Sequence, residues 1–172
     1  MNGSLLDRLD ARDRRLFLRF ALGADAPALR RRLWIGITAL GSAAVTIGLV
    51  VVPAQLRPWP RSITWRAGAA LVVSHLVIQI LKRLVGRERP SEGVPGRSVI
   101  ANPDRFSLPS GHSASSLAIA LSYAVAFPAL TPPLVALGLL VGWSRVALGV
   151  HSPGDVLAGQ TIAALTVLLL PG

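Results

Sequence analysis

The chain has no cysteine, which removes disulfides and every cysteine-ligated zinc or iron–sulfur centre from consideration. Charge is also scarce: 15% of residues are Asp, Glu, Lys or Arg against 52% hydrophobic ones, and the mean hydropathy is +0.55. That is too apolar for an ordinary soluble domain. Acids are the scarcer sign, eight against 18 basic residues, for a formal net charge of +10. In so apolar a chain this excess fits positive-inside bias and lipid headgroups, and nucleic acid is set aside as a partner. The acids do not cluster and neither His112 nor His151 sits in an HExxH pattern, so no metal and no cofactor is implied. Lysine is nearly missing too. Lys82 is the one lysine among 18 basic residues, a hint of a specific local need.

What is present is a series of uncharged stretches: 33–56, 67–81, 106–143 and 156–172. With their flanks such runs accommodate helices of about 20 residues, the length that crosses about 30 Å of hydrocarbon. The expected fold class is an all-α integral membrane protein of a single domain over residues 1–172, multi-pass in the cell (plasma or inner) membrane. Residues 1–32 form an amphipathic N-terminal segment. Within it Leu5, Leu9, Leu16 and Phe20 recur at helical spacing beside Arg8, Arg12, Asp13, Arg15 and Arg19. Those charges exclude a secretory signal peptide.

Five spans are expected: about 34–52, 63–84, 111–127, 134–148, and a last one starting at Ser152-Pro153-Gly154-Asp155. In that start Ser is an N-cap, Pro stands at the first helical position and Asp at the third. Ser110 is read as the N-cap of the third span. His75, Gln79 and Lys82 share a helical face in the second span, a face expected to point at a polar site. The connection from Gly86 to Leu108 reads as an ordered loop.

Three stretches carry chemistry: 82–90 (KRLVGRERP), 109–112 (PSGH) and 144–155 (SRVALGVHSPGD). With five spans all three fall on one membrane face. Phosphoryl transfer needs an in-line nucleophile, cations on the equatorial oxygens and an acid for the leaving oxygen. His151 can be the nucleophile if Asp155, four residues on, fixes its tautomer. Lys82, Arg89 and Arg145 supply cations, and arginine can grip two phosphate oxygens at once. Ser110 and Gly111 offer backbone N–H groups at a helix N-terminus, where an anion is favoured. His112 stands beside them as acid and then base. Arg83, Arg87, Arg97 and Arg105 are read as cations snorkelling at helix ends.

In the forms KxxxxxxRP, PSGH and SRxxxxxHxxxD, the three stretches resemble the three-part signature of the type 2 phosphatidic acid phosphatase family, matched at every fixed position. The resemblance implies a six-helix core and a metal-independent phosphatase working through a phosphohistidine. By position, His151, His112 and Asp155 would be catalytic, and Lys82, Arg89, Ser110, Gly111 and Arg145 would hold the phosphate. The partner would be a phosphorylated membrane lipid: phosphatidic acid, phosphatidylglycerophosphate, an isoprenyl diphosphate or an isoprenoid-linked sugar phosphate. A phosphotransferase using an acceptor other than water, or a non-catalytic lipid-phosphate binder, are the alternatives. Vanadium-dependent haloperoxidases share the motifs but are soluble and far larger, so vanadate is expected to inhibit. Family habit places the site on the extracytoplasmic face, whereas eight arginines before Trp34 favour a cytoplasmic N-terminus. The expectation leans to the family's habit.

Overall fold

In a computed structural model the chain is described at residues 5–23, 25–56, 60–92, 94, 98–101 and 104–170. Arg97 and part of the loop after Arg57 lie outside that set. The described residues are helical with no strand, as the apolar runs imply. The helices are α1 (Leu5–Phe20), α2 (Ala28–Ala39), α3 (Ala43–Gln55), α4 (Arg61–Val85), α5 (Gly111–Ala126), α6 (Thr131–Ala147) and α7 (Pro153–Leu169). A single 3₁₀ turn, Pro128–Leu130, joins α5 to α6 where the prolines forbid a continuous helix.

Helix α5 is the central element. It packs on α4, α6 and α7, and its small residues Ala114, Ala118, Ser113, Ser116 and Ser122 are all buried. Small residues let backbones approach closely, which is how membrane helices pack when lipid removes the hydrophobic drive. The core is formed by Ala70 and Ile78 of α4, Ala114, Leu117 and Ala118 of α5, and Ala163 and Val167 of α7. Leucines and valines on the outer faces, such as Val72, Leu76, Leu165 and Leu168, stay exposed as a lipid-facing surface requires.

Two helical segments, Arg61–Val85 and Pro128–Ala147, are long and apolar enough to cross a membrane alone. A third crossing results if α2 and α3, bent by 44°, are one broken span. Helices α5 and α7, at 16 and 17 residues, are shorter than the usual crossing length.

The stretch expected to span over 34–52 is thus bent within its length. The break falls at 40–42, where Ser42 caps α3 by accepting from the Val45 N–H at 3.4 Å. Gly41 explains its place: a Cβ there would meet Val141 Cγ1 at 2.6 Å and the His112 carbonyl at 3.0 Å. The chain bends where it must pass against the start of α5.

Helix α1 forms where periodicity placed it, but it is anchored as well as amphipathic. Phe17 is fully buried, Phe20 meets Trp143 edge-on at 5.0 Å between ring centroids, and the Leu22 N–H donates to the Ala147 carbonyl at 2.9 Å. Leu9 stays exposed.

Candidate active site

The site lies where the end of α4, the start of α5, the end of α6 and the start of α7 meet. Two glycines make the sharp exits. Gly86 caps α4 at φ 62° and Gly149 follows α6 at φ 77°, both in the left-handed region that favours glycine. The start of α5 is pressed against α7: the Ser110 N–H donates to the Asp155 carbonyl at 2.9 Å. Any side chain at Gly159 would collide with the Ser110 carbonyl, so this approach depends on glycine.

His151 is 2% exposed, and its Nδ1 lies 3.6 Å from Asp155 Oδ2. That is beyond hydrogen-bond length, and Nδ1 has no other partner. Catalytic hydrogen bonds are often long before substrate binds. Burial, with the Arg145 and Arg89 charges, outweighs the Asp155 carboxylate and pushes the His151 imidazole down to about 4, so it is neutral at ordinary pH. Asp155 does cap α7 as its position suggests: Oδ2 accepts the Ser152 backbone N–H at 2.8 Å, and Ser152 Oγ accepts the Asp155 N–H at 3.4 Å.

The cations gather as expected. Lys82, Arg89 and Arg145 are all buried. Lys82 Nζ donates to Asp104 Oδ2 at 2.6 Å and to the Phe106 carbonyl at 3.1 Å. Arg89 donates from Nη2 to Asp104 Oδ1 at 2.6 Å, from Nε to the Asp104 carbonyl at 2.8 Å and from Nη1 to the Val150 carbonyl at 2.6 Å. One carboxylate thus bridges two of the three cations. Lys82 and Arg89 together hold Asp104 below the usual carboxylate range against the upward push of burial. Arg145 donates from Nη1 to Thr38 Oγ1 at 2.8 Å, a contact across 107 residues that enlists the broken α2–α3 segment.

Two further buried donors in this cluster have no partner: Arg145 Nε and Ser110 Oγ. Buried polar groups are normally satisfied, so such orphans point to a ligand. Ser110 stands at the N-cap position of α5, but its hydroxyl makes no capping bond. His112, in the first turn of α5, lies within electrostatic reach of His151, Arg145, Lys82 and Asp104. Gly111 begins α5 with nothing within 4 Å of where its Cβ would stand.

Two readings are corrected. His75 is exposed and pairs only with Gln79 at 3.3 Å; the inward face of α4 runs through Ala67, Ala70, Ser74, Ile78 and Lys82 instead. The i, i+4, i+7 pattern was broad enough to put Lys82 at one edge of the inward stripe and His75 outside it. Arg87 is not a snorkelling cation. Its Nη1 donates to Asp155 Oδ1 at 2.7 Å and to Ser152 Oγ at 3.0 Å, and its Nη2 to Asp10 Oδ1 at 2.7 Å and Asp13 Oδ2 at 2.8 Å. Its partners are 65 to 77 residues away in sequence, and local spacing carries no sign of them. Arg83 and Arg105 remain exposed. Among the described residues no three His, Asp or Glu side chains form a group that could hold a metal ion.

The family model described as the PAP2 superfamily matches residues 63–171, which include every candidate site residue. Decaprenylphosphoryl-5-phosphoribose phosphatase of Mycolicibacterium smegmatis is 37% identical over 131 residues, 73% of this chain and 62% of that protein. The chain thus spans just under two thirds of that relative. The crystal structure of a transmembrane PAP2-type phosphatidylglycerolphosphate phosphatase from Bacillus subtilis superposes with a TM-score of 0.76 at 24% identity, covering 95% of this chain and 84% of the other. That of Aquifex aeolicus LpxE gives 0.77 at 22% identity, covering 90% and 92%. At these identities the two structures speak for the fold.

Proposed function

The chain belongs to the PAP2 superfamily, and from that premise we propose that it is a membrane phosphatase acting on a lipid phosphate through a phosphohistidine at His151, without a metal. The observation that carries the reading is the pair of unpartnered buried donors, Arg145 Nε and Ser110 Oγ, in a cluster that also holds His112, His151, Lys82 and Arg89. An anion with several oxygens would satisfy donors of that kind together.

In the proposed reaction the Nε2 lone pair of neutral His151 forms a bond to phosphorus while the bond to the leaving oxygen breaks. His112 gives that oxygen its proton. Lys82, Arg89, Arg145, Ser110 and the α5 N-terminus at Gly111 carry the charge on the remaining oxygens. Water then attacks phosphorus with His112 taking its proton, the P–N bond breaks, and inorganic phosphate leaves. Asp155 holds the Nδ1 proton throughout. Asp104, which bridges Lys82 and Arg89, must shift or share them when phosphate enters.

The substrate we propose is a lipid whose phosphate reaches the membrane face while its chain stays among the helices. A polyprenyl-linked sugar phosphate is the first candidate, because the relative named for that activity covers most of this chain. Because Asp13 of α1 contacts Arg87 and α7, the arginine-rich α1 lies on the same face as the site. Labelling of single cysteines at positions 2 and 98 reads the side of both.

The test is phosphate release by the detergent-purified protein with EDTA present. The panel is decaprenylphosphoryl-5-phosphoribose, phosphatidylglycerophosphate, phosphatidic acid and undecaprenyl diphosphate, each beside His151→Ala. Release from one lipid that EDTA leaves intact and the variant abolishes is expected. Release that survives in His151→Ala, or that EDTA stops, overturns the mechanism.

A further inference from the structure

Helix α1 looks at first like a membrane-surface anchor, yet its Asp13 reaches the pair on which the chemistry turns. We infer that Asp13 is a positioning residue for catalysis, holding the Asp155–His151 pair through Arg87 and through the first turn of α7; this rests on the phosphohistidine reading above.

The contacts form one chain. Asp13 Oδ1 accepts the Gly154 backbone N–H at 2.8 Å, and Oδ2 accepts Arg87 Nη2 at 2.8 Å. Arg87 Nη1 in turn holds Asp155 Oδ1 at 2.7 Å and Ser152 Oγ at 3.0 Å. Asp155 Oδ2 is left for the Ser152 N–H and for His151 Nδ1. Asp155 and Ser152 are wholly buried, and the Asp13 side chain is only 14% exposed although it lies on the outermost helix.

The glycine at 154 belongs to the same arrangement. A Cβ there would meet Asp13 Oδ2 at 2.9 Å and both other carboxyl atoms within 3.2 Å, so a side chain at 154 would displace the Asp13 carboxylate from its place against α7.

What these contacts restrict is freedom of rotation. A carboxylate with one idle oxygen can turn about its own axis and offer either lone-pair set to the imidazole. Arg87 removes that freedom by fixing Oδ1. Arginine, however, is a long side chain with about 2 kcal/mol of rotamer entropy, so it fixes nothing unless it is itself held. Asp13 and Asp10 hold its second nitrogen, and bonds between charged groups are the strong ones. Asp13 also bonds the backbone of the turn that carries Asp155. It therefore restrains both the arginine and the carboxylate's own main chain. Its twofold attachment, with the buried Phe17 one turn along, makes α1 part of the site's frame.

The experiment is a double-mutant cycle on the full chain in detergent with two readouts. One is steady-state phosphate release; the other is the His151 tautomer, read by NMR of labelled imidazole nitrogens. Asp13→Asn is expected to lower kcat about tenfold with KM within about twofold, as for groups that orient a reacting histidine from behind. It is also expected to move the His151 proton partly to Nε2. In an Arg87→Gln background the same substitution is expected to cost less than about twofold, because the arginine path is already cut and the Asn oxygen can still accept the Gly154 N–H. Asp10→Asn, whose carboxylate touches Arg87 but not α7, is expected to give a loss of about two- to threefold of the same kind.

An equal loss from Asp13→Asn in both backgrounds overturns the inference, as does a lowered melting temperature with kcat and tautomer unmoved. If Asp13→Asn does not fold, wild-type kcat in Asp10→Asn overturns it. If the wild-type protein releases phosphate from no lipid, the proposed function fails while the tautomer measurement still decides the role of Asp13.

Discussion

Replacing Asp155 by Asn changes the side chain's size little and removes one charge and one acceptor. In the native protein both oxygens are committed: Oδ1 accepts from Arg87 at 2.7 Å, and Oδ2 accepts from Ser152 at 2.8 Å and faces His151 Nδ1. An amide cannot serve all three donors. With its oxygen towards Arg87, its NH₂ group confronts the Ser152 N–H and turns His151 Nδ1 into an acceptor. The imidazole proton then moves to Nε2 and the attacking lone pair is gone. With its oxygen towards Ser152, the NH₂ group opposes the guanidinium, so the first arrangement is favoured. A catalytic histidine held in the wrong tautomer costs on the order of 10⁴ in kcat, or about 5 kcal/mol of barrier. Stability should fall by about 1–3 kcal/mol, from the damaged capping box and one lost charge-assisted bond. The assay is kcat for phosphate release beside the melting temperature in detergent. A kcat within tenfold of wild type in a folded Asp155→Asn protein would refute the reasoning.

Other perturbations separate the parts of the site. His151, held down at about 4 by burial, stays neutral above pH 5, so its acid limb in kcat/KM should fall near pH 4; a limb near 6.5 that does not follow the substrate's own phosphate ionisation contradicts this. Unfolding restores its ordinary value of 6.5. The unfolded chain therefore takes up a proton that the folded one refuses, and stability present above pH 6.5 falls on the way to pH 4, a slope that His151→Gln should lessen in pH-dependent melting. Ser110→Ala should change stability by less than about 0.5 kcal/mol, since the hydroxyl has no partner, while weakening inhibition by vanadate about tenfold. His75→Ala should leave kcat/KM within about twofold, as an exposed side chain on the far face of α4 would.

The site was legible in sequence to the extent that its spacing is local. His151 and Asp155 are one helical turn apart at a capped start, and that geometry follows from Ser152 and Pro153 alone. The gathering of Lys82, Arg89 and Arg145 was expected from a count of five spans, and the structure brings them together at the ends of α4 and α6. What was not legible depends on distant partners. Arg87 differs from Arg83 in reaching both α1 and the start of α7, and nothing in KRLVGRERP records that. Thr38 reads as one more polar residue in an apolar run until Arg145 is placed beside it. Ser110 has the position of a helix cap, and only the structure shows its hydroxyl unused. The break at Gly41 was hidden for a related reason: a glycine in an apolar run is ordinary, and the constraint lies in His112 and Val141 across the interface.

In the proposed reaction His151 is the group that bonds phosphorus. The most direct measurement is rapid quenching of the protein with a radiolabelled lipid phosphate, followed by peptide mapping of any bound label. The expected result is a base-stable, acid-labile phosphoryl group on the peptide carrying His151, formed faster than phosphate release and absent in His151→Ala. Turnover without a trapped label in any time window, together with inversion at a chiral phosphate, would mean direct attack by water and would contradict it.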